Sequence, residues 1–258
     1  MRNDPLFTAF INDAAQPFSG WDFSFIIGTG RLQNGLLPWS YGSLILPYIR
    51  NAHSMLDMGT GGGEFLSKLQ LFPHVVCATE GYVPNVPVAK ARLEPLGVRI
   101  EQEHDKEAQP FEDGAFDLII NRHKSYSAKE VRRMLKDGGT FITQQVGGLD
   151  CAEINEALGV PMNPRTVYSA LETRQKELES EGLQVTLSRE ASPPQRFYDI
   201  GALIYYLKAI PWQVPDFDVE RHMDELYVIH KGIQENGYFE ATQRRFLLVA
   251  KRRNDLKK

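Results

Sequence analysis

Cysteine is scarce in this chain, since Cys77 and Cys151 are the only two among 258 residues. Cys77 lies in an apolar run and Cys151 in a polar segment, and neither has a cysteine or histidine neighbour at the spacing used by zinc sites. This pattern gives neither a disulfide framework nor a metal-binding motif. We therefore expect two free thiols, with Cys77 in the core, and no bound metal.

Long apolar segments are also missing. The longest, such as Ala202 to Leu207, are far too short to span a bilayer, and the N-terminus MRNDPLFTAF lacks the basic and apolar regions of a secretion signal. Hydrophobic residues still make up 42% of the chain, which is enough to bury a substantial core. The sequence therefore predicts a globular protein of the cytoplasm without a membrane partner.

Neither sign of charge dominates. The 29 Lys and Arg residues oppose 33 Asp and Glu residues, for a net charge of −4, and the basic residues are spread out apart from a short C-terminal tail. This balance favours neither an anionic membrane nor nucleic acid as a partner, although it leaves an RNA acceptor open. A small molecule is the partner that we expect.

Short apolar runs alternate with helical patterns, as in βαβ units that build a parallel sheet. The predicted strands are His53 to Met58, Val75 to Thr79, Val98 to Ile100, Phe116 to Asn121, Thr140 to Val146, Leu183 to Leu187 and Phe246 to Ala250. Helical spacing and capping residues predict helices over Phe65 to Phe72, from Asn85 to Gly97, over Ala128 to Leu135 and over Pro164 to Glu181. A long aromatic-rich insert, Pro193 to Tyr238, precedes the last strand and is expected to be helical.

The segment DMGTGGG at 57–63 lies where a buried strand turns into a helix. Its glycines let backbone N–H groups and the helix N-terminus approach a ligand closely, which suits a nucleotide-like cofactor. Read from Gly59, the dinucleotide fingerprint needs glycine or alanine at position 64, where this chain has Glu64. A glutamate there would also repel a pyrophosphate. Both observations weigh against NAD, although a reading frame that starts at Gly61 stays open.

The spacing Asp57-x-Gly59-x-Gly61-x-Gly63 resembles motif I of the class I methyltransferases, which bind S-adenosylmethionine. Later segments are similar to further motifs in the family's order, namely Glu80, the loop Asp105 to Phe111, the motif IV strand Phe116 to Asn121, and Glu130 to Gly139. The resemblance covers about residues 36 to 150 at the level of motifs. On these motifs the chain is identified as a member of the superfamily, close in style to its small-molecule methyltransferases.

The resemblance implies a doubly wound α/β fold. Its Rossmann-like sheet would have seven mainly parallel strands, the last one antiparallel, with helices on both faces. Residues 1–50 would form an N-terminal helical lid and residues 51–258 the methyltransferase domain, with a substrate-covering insert at about 193–238. The aromatic residues near the N-terminus could equally cap the edge of the sheet, and those of the insert could be core. The protein would be a monomer or a homodimer.

The resemblance also implies a place for each part of the cofactor. Asp57 and the glycine turn would hold the methionine portion, Glu80 the ribose hydroxyls, and Asp105 the adenine amino group. Tyr82 would lie beside the adenine, and the backbone of Asn121 would face the methionine amine. The predicted cofactor-binding residues are Asp57, Gly59, Thr60, Gly61, Gly63, Glu80, Tyr82, Asp105 and Asn121.

Each predicted acidic ligand has a simpler interpretation as well. Asp57 could cap the following helix, and Glu80 could be a solvated charge at a strand end. Asp105 lies in a charged stretch, Glu101 to Glu107, and could be one more surface acid.

His123 follows the motif IV strand, at the carboxyl end where open α/β sheets bind ligands. Its reference pKa would let it take a proton from a substrate hydroxyl or amine, and a loop or structural histidine fits the pattern as well. The expected reaction is an in-line transfer of methyl to an O, N, C or S atom of the acceptor.

Two other functions remain open from the sequence. One is a protein that binds S-adenosylmethionine without transferring methyl, and the other is a NAD-dependent oxidoreductase. His222 and His230 lie eight positions apart in the insert without a ligand between them, which does not favour a metal site.

Overall fold

The computed structural model describes residues 4–18, 21–69, 71–164 and 170–254. In chain order its elements are α1 Pro5–Asp13, α2 Ser24–Ile27, β1 Leu32–Asn34, α3 Tyr41–Asn51, β2 Ser54–Met58, α4 Leu66–Leu69, β3 Val75–Glu80, α5 Asn85–Leu93, β4 Arg99–Gln102, β5 Phe116–Arg122, α6 Ala128–Met134, β6 Leu135–Val146, α7 Ala152–Ala157, α8 Leu171–Ser180, β7 Leu183–Ala191, β8 Pro194–Phe197, α9 Ile200–Ala209, α10 Met223–Asn236, β9 Phe239–Thr242 and β10 Arg245–Arg252. None of the helices in the described ranges is long and apolar enough to cross a membrane.

The described residues form two compact units. The first draws on residues 1–37, 147–169 and 191–244, and the second on residues 38–146, 170–190 and 245–258. Segments of the predicted N-terminal lid therefore occur in both units, with α1, α2 and β1 in the first and α3 in the second. The lid role itself stays a prediction.

The second unit is built on a seven-stranded sheet with the order β4-β3-β2-β5-β6-β10-β7. Strands β2 to β6 pair in parallel with their neighbours, whereas β10 is antiparallel to β6. Helices cover both faces of this sheet. The structure thus confirms the predicted doubly wound fold and the antiparallel last strand.

The unbroken apolar run of β5 follows from this double cover. Leu118 and Ile120 pack in the apolar cluster that includes Ile45 of α3, whereas Ile119 lies in the opposite cluster with Val131 of α6. Because successive residues of a strand point to opposite faces, the centre of a strand that is covered on both faces is apolar at consecutive positions. Because β2 pairs in parallel with both β3 and β5, the polar residues at the ends of these three strands lie together at the carboxyl edge of the sheet.

Some helix and strand boundaries differ from the prediction. β6 begins at Leu135 because the turn at Gly138, with φ 75°, is absorbed as an irregularity in its pairing with β5. The described part of α4 ends at Leu69, and Phe72 is not helical. The prediction of one continuous helix from Pro164 to Glu181 is wrong, because Ala170 has an extended backbone and caps α8, which begins only at Leu171. Residues 165–169 of the predicted helix lie outside the described residues.

The first unit contains a three-stranded antiparallel sheet, β1-β8-β9, that the sequence did not predict. The insert therefore contains a strand as well as the helices α9 and α10. Many of its aromatic residues are core residues, as Phe197, Tyr205 and Tyr206 are buried. Buried Asp199 pairs with Arg31 at 2.7 Å and caps α9 through the N–H of Ala202.

Candidate functional site

The glycine turn forms a tight loop after β2. Gly59, Gly61 and Gly63 all have left-handed φ angles, of 74°, 65° and 80°, that disfavour any residue with a Cβ. The N–H groups of Gly59 and Thr60 donate to the Thr79 carbonyl at 3.0 and 2.9 Å. The loop is thereby held against the end of β3.

Asp57 is buried at the start of this loop. Burial raises the pKa of Asp57 to about 6, and the neighbouring Glu80 acts in the same direction, whereas the Thr60 hydroxyl and the charge of Arg122 oppose the rise. The Thr60 Oγ1 atom is itself buried and has no hydrogen bond of regular geometry within the described residues. A buried hydroxyl without a regular hydrogen bond thus lies beside the buried Asp57 carboxyl.

Glu80 ends β3 and is only 5% exposed. Its Oε2 accepts from the Gly61 N–H at 2.7 Å and its Oε1 from the Tyr82 N–H at 2.6 Å. A carboxylate oxygen has more than one lone pair, so both oxygens can still accept from ligand hydroxyls. Tyr82 is largely exposed, and its place beside the adenine stays a prediction.

Asp105 is an exposed residue that accepts from the Glu107 N–H at 2.9 Å, which forms a local turn. The buried acid of this loop is Glu103, whose N–H donates to the Glu80 carbonyl at 2.9 Å. Sequence reasoning missed Glu103 because β4 runs on to Gln102, beyond its predicted end at Ile100. The adenine contact of Asp105 stays a prediction.

Lys124 lies across the loop. A Cβ added at Gly59 would lie 3.1 Å from Lys124 Cδ, and a Cβ added at Gly81 would lie 3.1 Å from its Nζ. The ammonium pairs with Glu103 Oε1 at 2.9 Å, and Gln109 Nε2 donates to the other Glu103 oxygen at 2.8 Å. The Lys124 side chain therefore covers the carboxyl ends of β2 and β3 and is tied to the end of β4.

Asn121 is fully buried and joins the central strands. Its Nδ2 donates to the Met58 carbonyl at 3.1 Å, and its Oδ1 accepts from Thr143 Oγ1 at 2.8 Å. The Tyr41 hydroxyl donates to its carbonyl at 3.1 Å and accepts from its N–H at 3.2 Å. The side chain of Asn121 is thus structural, and contact of its carbonyl with the methionine amine stays a prediction.

His123 has a left-handed φ of 60°, and its N–H donates to the Gln144 carbonyl at 2.8 Å. The ring Nε2 lies 3.0 Å from Gln144 Nε2. Desolvation lowers the pKa of His123 well below 6.5 although the residue as a whole is exposed, and the charges of Arg245 and Arg122 add to this. A neutral ring suits a proton acceptor, but Gln144 already occupies Nε2. The role of general base stays a prediction.

Arg122 presents a positive charge beside this histidine. Its guanidinium carbon lies 4.3 Å from the centre of the Phe65 ring, a cation–π contact. Within the described ranges, no carboxylate lies within ion-pair distance of Arg122. The carboxyl edge thus combines buried acids on β2, on β3 and just after β4 with an exposed cation on β5.

No group of three or more His, Cys, Asp or Glu side chains among the described residues is arranged to hold a metal ion. His230 is 1% exposed, and its ring packs 5.2 Å from that of Phe7. His222 Nδ1 lies 2.9 Å from the Asp218 carbonyl, so these two histidines have separate surroundings.

The central part of the chain, which contains this site, is similar to a known family. Residues 56–143, from β2 into β6, match a family model described as a methyltransferase domain. A candidate methyltransferase from Bacillus halodurans C-125 has a TM-score of 0.61 at 16% identity, over 84% of this chain and 100% of that one. No curated protein sequence matches the chain.

Other solved structures share the fold. The cyclase SpnF has a TM-score of 0.56 at 14% identity, over 96% of this chain and 94% of its own. Geranyl diphosphate methyltransferase, solved with GPP and sinefungin, has a TM-score of 0.50 at 15% identity, over 82% of this chain and 77% of its own. At such identities these likenesses show the fold alone, and one fold hosts several activities. Residues 56–143 are therefore similar to a methyltransferase domain, and the sheet topology shows a doubly wound α/β fold.

Proposed function

We propose that this protein transfers the methyl group of S-adenosylmethionine to a small-molecule acceptor. The observation that carries the proposal is the glycine loop, with buried Asp57 and Glu80 at the ends of adjoining strands. Glu64, which would repel a pyrophosphate, is tolerated by a cofactor that has none, and it is ion-paired with Arg92.

The chemistry of these residues fits the cofactor. Glu80 offers lone pairs to the two ribose hydroxyls, and the buried Thr60 hydroxyl, which lies beside the Asp57 carboxyl, is a polar atom that a bound ligand would satisfy. A ligand atom that contacts Gly59 has to displace the stem of Lys124, which lies on that glycine. A flexible lysine can turn away at low cost, so the loop can receive a ligand.

When bound, S-adenosylmethionine supplies an electrophilic methyl group on a sulfonium. The residues of this chain would then act mainly by positioning. The glycine loop and Asp57 would hold the methionine portion, and Glu80 the ribose. The Asn121 carbonyl, fixed by Tyr41, keeps a second lone pair for the methionine amine. Tyr82 and Asp105 are proposed beside the adenine.

Proton removal by His123 is not required for every acceptor. Its Nε2 is engaged by Gln144, so His123 could accept a proton there only after that hydrogen bond breaks. An acceptor that arrives as an anion or a neutral amine needs no base before attack. We therefore assign the rate acceleration to orientation of the two reactants.

The test is acceptor-dependent formation of S-adenosylhomocysteine. Wild type and the Glu80→Gln variant are incubated with S-adenosylmethionine and, separately, with small-molecule, RNA and protein fractions of a cell extract. We expect product with the small-molecule fraction and wild type, and at least tenfold less with Glu80→Gln. Product with a macromolecular fraction alone, or no product from a wild type that binds the cofactor, would contradict the proposal.

A further inference from the structure

The ring of His123 is held by two residues in series. The Trp39 indole N–H donates to Gln144 Oε1 at 2.9 Å, and Gln144 Nε2 lies 3.0 Å from His123 Nε2. An indole nitrogen can only donate, so Trp39 fixes which end of the Gln144 amide is the oxygen. The amide nitrogen must then donate to His123. His123 Nε2 is therefore the acceptor, and in the neutral ring the proton sits on Nδ1.

We propose that His123 is a fixed hydrogen-bond donor that presents its Nδ1–H to an anionic oxygen group of the methyl acceptor, a carboxylate or a phosphate. The ligand's identity rests on the proposed function, whereas the tautomer does not. His123 would thus be a residue that determines acceptor specificity and positions the acceptor at the end of β5.

The backbone supports this assignment. A left-handed φ of 60° is uncommon for a residue other than glycine, and here the His123 N–H is held by the Gln144 carbonyl at 2.8 Å. Gln144 therefore fixes both the backbone and the ring of His123. Strained residues held in this way are concentrated at functional sites, where their orientation matters.

The charged groups near the His123 ring are positive, which favours a negatively charged binding partner. Arg122 and Arg245 are the charged groups that act on His123, and both disfavour its protonated form. Protonation would also turn Nε2 into a donor facing the donor nitrogen of Gln144. Arg122 lies on the Phe65 ring without a carboxylate partner in the described part of the chain. A neutral N–H donor beside an unpaired guanidinium fits carboxylate or phosphate oxygens.

Long-range ¹⁵N–¹H spectra of the histidine rings test the tautomer without any cofactor. We expect His123 to show a protonated Nδ1 and an unprotonated Nε2. In the Gln144→Glu variant a carboxylate can accept from both Trp39 and His123, so the ring should hold its proton to a higher pH. His53 and His104, both exposed, serve as internal controls. An Nε2–H tautomer in wild type, or no change in a folded Gln144→Glu variant, would overturn the assignment.

Anion binding is tested with inorganic phosphate and, separately, acetate as probes. We expect one of them to shift the His123 Nδ1–H signal saturably in wild type, and the response to be lost in Arg122→Gln but kept in Arg50→Gln, an exposed control. The stronger probe distinguishes a phosphate from a carboxylate acceptor. If neither anion shifts the signal, the anionic class is wrong. S-adenosylmethionine binding, measured on the same samples, would show separately whether the proposed function fails.

Discussion

Replacing Lys124 by alanine should tighten the binding of S-adenosylmethionine about fivefold. The Lys124 side chain lies over Gly59 and is held there by its ion pair with Glu103 at 2.9 Å. A cofactor on the glycine loop has to break that pair and move the stem. The alanine variant has neither the ion pair nor the stem, so the cofactor does not have to break or move either one when it binds.

The magnitude follows from the exposure of the pair. The Lys124 and Glu103 side chains are 30% and 5% exposed, so the pair is partly shielded from solvent but not fully buried. Pairs of this kind contribute up to about 1 kcal/mol, which corresponds to about fivefold in Kd. Glu103 keeps its hydrogen bond from Gln109 at 2.8 Å, which limits the cost of the lost cation in the free protein.

Isothermal titration calorimetry with S-adenosylmethionine and S-adenosylhomocysteine measures this effect. Lys124→Met keeps the stem but not the charge and should fall between wild type and Lys124→Ala. Lys106→Ala is the matched control, since it breaks an exposed pair with Glu107 on the neighbouring loop and should leave Kd unchanged. Unchanged or weaker binding by Lys124→Ala would refute the reasoning, and weaker binding would make Lys124 a ligand of the cofactor.

Asp57→Asn should stabilise the fold by an amount that grows between about pH 4 and pH 6. The pKa of Asp57 is about 6 in the folded protein and about 4 in the unfolded chain, so ionisation of Asp57 destabilises the native state progressively across this range, and the asparagine avoids that loss. Urea unfolding at pH 3.5 and 7.5 should show a gain of about 3 kcal/mol at the higher pH only, and a gain that is equal at both would contradict the sign. Gly63→Ala should lower the free energy of unfolding by about 2 kcal/mol or more, since its φ is 80° and a Cβ would lie 2.7 Å from Leu93. Gly114→Ala, with φ 63° and open space, should cost less, and equal losses would argue against the clash.

The sequence contains enough to predict the main sheet, because burial on both faces leaves a simple signal. The centre of β5, Leu118 to Ile120, has to be apolar at consecutive positions, and the left-handed turns after β2 have to be glycine. Both constraints act within a few neighbouring residues. The class of fold and the position of the cofactor loop could therefore be predicted without coordinates.

The small sheet of the first unit could not be predicted in this way. β1 has three residues and β8 four, the latter starting with a proline, so neither shows a usable alternation. Their pairing joins Leu32 to Phe197, far apart in the chain. Such short strands exist only because of a distant partner, and local propensity does not reveal the partner.

The finer parts of the site depend on strand ends and side-chain contacts between loops. Two more residues in β4 make Glu103 the buried acid and leave Asp105 in a surface turn. The contact of Lys124 with Gly59 and the Trp39–Gln144–His123 series join residues from separate elements. Sequence spacing indicates which edge these residues share, but not which atoms meet.

The most direct test of the central claim is calorimetric titration of S-adenosylmethionine into wild type, Glu80→Gln and Glu101→Gln. Glu101 lies in β4 and pairs with Arg99, so its variant controls for the loss of one negative charge near the site. We predict saturable binding to wild type and Glu101→Gln. In Glu80→Gln the loss of a charged hydrogen-bond acceptor, about 1.5–3 kcal/mol, should weaken binding roughly tenfold or more. No binding to folded wild type, or equal binding to all three proteins, would contradict the assignment of this glycine loop and Glu80 as the cofactor site.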